Sequence, residues 1–146
     1  MAATTIHFSS AVPSFSVPDV VRAAEYYRDV LGFEIAGYWD GERVHQDRSA
    51  TAVFGIVQRD QVRVHFSLAE GEAVRTGDTE GAYAAYFHIT GVDELAADLR
   101  RRGATIVDGP EDRVYGQREL VVQDCNGWIL AFGEDTQGRT DPRPPP

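Results

Sequence analysis

Cysteine is nearly absent: the single Cys125 leaves no internal disulfide to be made, so nothing in the chain asks for an oxidising compartment. Long apolar runs are missing too, and the first residues lack a charged stretch followed by an apolar core. Neither a membrane span nor a secretory leader is therefore expected, and a cytoplasmic location is the default. Basic residues are in the minority, 14 against 23 acidic, for a formal charge of −9 at neutral pH. A nucleic-acid partner would need a basic face, so that class is set aside, while neutral or cationic small molecules are favoured by steering. Gly-rich phosphate loops and a Ser-His-Asp arrangement are also missing, and the four histidines show no metal-ligand spacing. Cys125 lies in a turn beside Asp124, whose charge raises the thiol pKa, so it is a poor candidate nucleophile. Asp124 is expected to bond the turn backbone.

What is present is a repeat. Phe15-Ser16-Val17-Pro18-Asp19-Val20, a helical stretch to Leu31 and Gly32-Phe33-Glu34-Ile35 open the first half. Phe87-His88-Ile89-Thr90-Gly91-Val92, a helical stretch to Arg102 and Gly103-Ala104-Thr105-Ile106 open the second. Two copies of one supersecondary unit, strand, helix and three strands, follow from this. The expected organisation is an N-terminal extension over 1–9, a first module over 10–69 and a linker over 70–82. A second module over 83–134 and a Pro-rich disordered tail over 135–146 complete it.

Helical spacing of Val20, Ala23, Ala24, Tyr27, Val30 and Leu31 predicts the first helix, with Asp19 as N-cap and Gly32 as its stop. Val92, Leu95, Ala96 and Leu99 predict the second, ending at Gly103. Strands are predicted over 33–38, 52–58 and 62–68, and again over 105–107, 119–123 and 128–133. Asn126-Gly127 is read as a hairpin turn. Alternation separates two faces: Val62, Val64, Phe66 and Leu68 against Arg63, His65 and Ser67; Ala85, Phe87 and Ile89 against Ala84, Tyr86 and His88. The bulky series, with Trp128, should pack on the helices, and the small or polar series should line an open cavity.

Val17-Pro18-Asp19-Val20, Tyr26-Tyr27 and Leu31-Gly32-Phe33 resemble the module opening of the vicinal oxygen chelate superfamily. Tyr115-Gly116-Gln117-Arg118-Glu119 and Val122-Gln123-Asp124-Cys125-Asn126-Gly127 resemble its closing hairpin, although Cys125 and Trp128 stand where the family usually has Pro and Asn. This superfamily includes glyoxalases, extradiol dioxygenases, fosfomycin-inactivating enzymes and bleomycin-resistance proteins. The resemblance covers about residues 10–134. It implies an α+β fold of two repeated β-α-β-β-β modules, with curled antiparallel sheets around a cavity. It also implies metal ligands at Val12, His65, Ala84 and Ala131, of which only His65 can donate a lone pair. Neither a family-type metal site nor a cofactor is therefore expected.

The branch that the resemblance leaves is the bleomycin-resistance type: a metal-independent binder of drug-like molecules, implicated in antibiotic resistance. A homodimer is expected, because open sheets need their edges covered. Ligand contacts are expected from His65, Arg63, Ser67, Tyr86, His88, Trp39, Tyr115 and Arg118, and the ligand is read as planar and cationic. The alternative is a lyase, isomerase or dioxygenase-like enzyme of the same superfamily, with His65 or Glu119 as general base. Glu119 is otherwise read as a surface partner of Arg118.

Overall fold

A computed structural model describes residues 5–47, 51–69 and 83–138. The chain runs β1 (Ser14–Val17), α1 (Val20–Asp29), β2 (Glu34–Trp39), β3 (Val44–His45), β4 (Phe54–Arg59) and β5 (Val62–Leu68). It continues β6 (Ala85–His88), α2 (Val92–Arg101), β7 (Thr105–Asp112), β8 (Gln117–Gln123) and β9 (Ile129–Asp135). Two sheets result, ordered β1-β5-β4-β2-β3 and β6-β9-β8-β7. The repeat is thus an architectural one, apart from the two-residue β3, which sequence periodicity could not register. The expected linker, 70–82, lies wholly outside the described residues, as does the tail beyond 138. β9 runs through Asp135, one residue into the segment expected to be tail.

The sheets are mixed, not wholly antiparallel, and they are not closed. In each half the first strand pairs parallel with the last, Ser14 opposite His65 and Tyr86 opposite Ala131. A helix between the first and second strands carries the chain across the sheet, which makes a parallel pairing reachable.

Both helices begin and end for legible reasons. Asp19 has extended backbone and its carboxylate accepts from Arg22 N at 3.0 Å, the expected N-cap. Val20, Ala23, Ala24 and Tyr27 are buried along one stripe against β4, β2 and β5. Gly55 makes close approach possible: a Cβ there would sit 2.9 Å from Val20 Cγ1. α2 starts at Gly91 (φ 86), which offers no side chain, and the cap comes instead from β9. Glu134 accepts from Gly91 N at 2.9 Å and from Val92 N at 3.1 Å. Asp93 and Glu94 in the first turn and Arg100 and Arg101 in the last complement the helix dipole. Ala104 N bonds Leu99 O at 2.9 Å past Gly103 (φ 81), closing the helix as the sequence predicts.

One continuous apolar core joins the halves, including Phe15, Tyr27, Phe66, Phe87, Leu99, Leu130 and Phe132. Trp128 belongs to it, stacked on Phe15 at 5.2 Å with Nε1 donating to Ser16 O at 3.3 Å. The β8–β9 turn differs from the expected Asn-Gly hairpin. Gly127 alone has positive φ (87), its N bonds Asp124 O at 3.1 Å, and Asp124 N bonds Trp128 O at 2.9 Å. Three residues therefore form the loop, because Asp124 Oδ1 accepts from both Asn126 N (2.8 Å) and Trp128 N (2.9 Å). Its other oxygen accepts from Tyr27 OH at 2.7 Å, tying this loop to α1.

Candidate functional site

A groove of about 740 Å³ opens between β5 of the first sheet and β6 of the second, with the chain before β1 along its rim. Arg63 and His65 reach it from β5, Tyr86 and His88 from β6, with Val12 and Ala84 between. Strand alternation put these side chains on the face opposite the helices, as the sequence anticipates. His65 lies edge-on to Phe54, ring centroids 5.1 Å apart, and Arg63 Nε donates to Gln58 Oε1 at 3.0 Å.

The resemblance implies metal ligands at four positions. Val12, His65 and Ala84 line the groove, while Ala131 is buried opposite Tyr86 in register. The donor set does not fit a divalent ion, since three of these four side chains are hydrocarbon. Among the described residues no group of three His, Cys, Asp or Glu could hold one either.

Register brings further side chains onto the His65 face of the first sheet. Ser67 pairs with Phe54 and Phe54 with Trp39, while His65 pairs with Ile56. Trp39, 38 % exposed, thus shares a face with His65 but stands two strands away and does not line the groove. Phe54 and Ile56 were missed by the sequence reading, although Phe54-Gly55-Ile56-Val57 alternates once its pairing with β5 is known.

The second sheet's groove-side face is organised by Glu119, which is 1 % exposed. Tyr86 OH donates to its Oε2 at 2.7 Å; Tyr115 OH and Arg113 Nε donate to Oε1 at 2.5 and 3.0 Å. Arg113 also holds Asp108 at 2.6 Å and Glu111 at 2.9 Å, so its charge serves three carboxylates. Burial, then the bond to Glu119, push the Tyr115 phenol up to about 12 and hold Tyr86 above the ordinary phenol range. Both remain protonated donors at neutral pH.

Two expectations change here. Glu119 is not a surface partner of Arg118: adjacent residues on β8 point to opposite faces. Arg118 turns to the helix side, pairing with Asp93 of α2 at 2.9 Å and Asp112 at 3.1 Å. Nor is Glu119 arranged as a general base, since both oxygens accept from protein donors. Tyr115 does not line the groove; its hydroxyl is bonded to Glu119. Cys125 is pushed up to about 11, first by burial and then by Asp124, which agrees with its dismissal as a nucleophile.

The family model described as the Glyoxalase/Bleomycin resistance protein/Dioxygenase superfamily matches residues 7–132. A bleomycin resistance protein from Geobacillus stearothermophilus is 21% identical over 135 residues, 84% of this chain and 93% of that protein. Among solved structures, the bleomycin-binding protein from bleomycin-producing Streptomyces verticillus, complexed with copper(II)-bleomycin, has a TM-score of 0.62. It is 22% identical, covering 88% of this chain and 97% of that one. An antibiotic binding protein from Streptomyces sp. CB03234 has a TM-score of 0.58 at 20% identity, covering 88% and 99%. At these identities the structural likeness concerns the fold.

Proposed function

The chain belongs to the glyoxalase/bleomycin resistance protein/dioxygenase superfamily, and on that premise we propose that it binds a drug-like small molecule reversibly, without a metal. One observation carries the reading: a solvent-open groove lined by Arg63 and His65 of one sheet and Tyr86 and His88 of the other. These groups supply ring faces, hydrogen bonds and one positive charge, which is what recognition of a polar aromatic molecule needs. The same groove has hydrocarbon at Val12 and Ala84, where a family metalloenzyme would have ligands. The relatives named for bleomycin resistance and antibiotic binding support sequestration as the biological use.

In this reading the ligand sits between the two sheets, with His65 and Arg63 as polar contacts and Tyr86 and His88 as the facing wall. Ser67 and Trp39 extend the first wall for a larger ligand. A second copy of the chain would cover the sheet edges, giving a homodimer.

The test is thermal denaturation with bleomycin and a panel of planar antibiotics, followed by titration calorimetry. A stoichiometric complex is expected, weakened at least tenfold by His65→Ala, with the antibiotic recovered unchanged by mass spectrometry. Consumption of the antibiotic, or near-stoichiometric uptake of nickel, zinc, iron(II) or manganese abolished by His65→Ala, would move the protein to the enzymes of the superfamily.

A further inference from the structure

Tyr86 lies down on its sheet. Its side chain starts on β6, crosses β9 and ends at Glu119 Oε2 on β8, 2.7 Å from the hydroxyl. A side chain standing upright on β6 could not span two strand spacings of roughly 5 Å each. The strand beneath is cut away for it at Gly133. A Cβ built there would sit 1.9 Å from Tyr86 Oη, 2.6 Å from Cζ and 2.8 Å from Cε1. Three ring-end atoms so close to one backbone position mean that the ring covers that strand. His88 flanks the ring at 5.1 Å and Tyr83 at 6.2 Å, centroid to centroid.

The acceptor of this tether is buried and held in place. Glu119 takes its second oxygen to Tyr115 and Arg113, so it cannot swing away from Tyr86 without breaking those bonds. Its negative charge at the phenol hydrogen adds electron density to the ring, and an electron-rich ring face attracts planar and cationic groups.

We infer that Glu119 and Gly133 are positioning residues that hold Tyr86 flat as a stacking platform, so that the groove selects a ligand carrying a planar aromatic group. This rests on the groove being the binding site. Glu119 acts only through Tyr86 and touches no ligand itself.

Proflavine, a planar aromatic cation, and 1-adamantylmethylammonium, a bulky non-planar one, separate platform from charge. Proflavine should bind the wild-type protein roughly five- to tenfold more tightly than the non-planar cation. Tyr86→Phe keeps the ring but removes the tether, and should abolish that preference by lowering the proflavine affinity to about that of the adamantyl cation. Gly133→Ala should do the same by lifting the ring. An undiminished preference in Tyr86→Phe, or equal affinities in the wild type, overturns the platform and leaves the groove reading standing. Absence of binding by either cation, or affinities for both unaltered by His65→Ala, overturns the groove reading and the platform with it.

Discussion

At the scale of single residues, the buried polar groups explain more than the apolar ones. Asp124 is a core carboxylate whose burial raises its pKa against the pull of four donors, Tyr27 OH and the amides of Asn126, Gly127 and Trp128. Burying such a charge is tolerable because those donors surround it. Tyr27→Phe removes one and leaves the volume nearly intact, so it should cost about 2 kcal/mol, the usual value of a hydrogen bond to a charged group. Urea denaturation monitored by tryptophan fluorescence measures this directly, Trp128 being adjacent. A loss below about half a kcal/mol would mean that the bond contributes little and that the loop is held by its backbone bonds alone.

At the scale of elements, the two helices show how far the sequence could be read. Asp19 announces α1, since cap and apolar stripe lie within one short window. The cap of α2 could not be found that way, because Glu134 arrives from a strand more than forty residues later. Glu134→Ala should therefore destabilise the protein by about 1 kcal/mol, and it should speed hydrogen exchange at Gly91 and Val92 before the rest of α2. Unchanged exchange there would show that water replaces the carboxylate without loss. The same distinction governs the site. His65, Arg63, Tyr86 and His88 were legible because period-2 alternation alone decides their face. The Glu119 network was not, because β8 alternation gives a face but not which tyrosine crosses to meet it. Arg118 was misplaced through the resemblance, whereas alternation against Glu119 would have put it beside α2. Trp39 carried no signal for its distance from the groove, which depends on strand order.

At the scale of the molecule, the phenols link stability to pH. Five of the six tyrosines, Tyr26, Tyr27, Tyr83, Tyr86 and Tyr115, have pKa values raised mainly by burial, Tyr27 most of all. An unfolded chain releases these protons near pH 10, whereas the folded chain keeps them to higher pH. Above about pH 10 the folded state thus binds more protons, and stability falls as pH rises; below it, this contribution is fully present. Absorbance of tyrosinate should rise at higher pH than ordinary phenols titrate, with part of the rise accompanying loss of circular dichroism. Ordinary titration of all the phenols around pH 10 with the dichroism intact would contradict the burial described here.

The pairing of first strand with last in each sheet has a consequence for how the chain comes into being. A nascent polypeptide leaves the ribosome β1 first, yet β1 has no strand partner until β5 has emerged, and β6 likewise waits for β9. Each half must therefore be synthesised to its final strand before its sheet can be completed, and loop-closure entropy makes that last pairing slow. Through that interval β1, with Phe15 and Val17, is a short unpaired strand with its apolar side chains still uncovered, the kind of edge on which nascent chains associate wrongly.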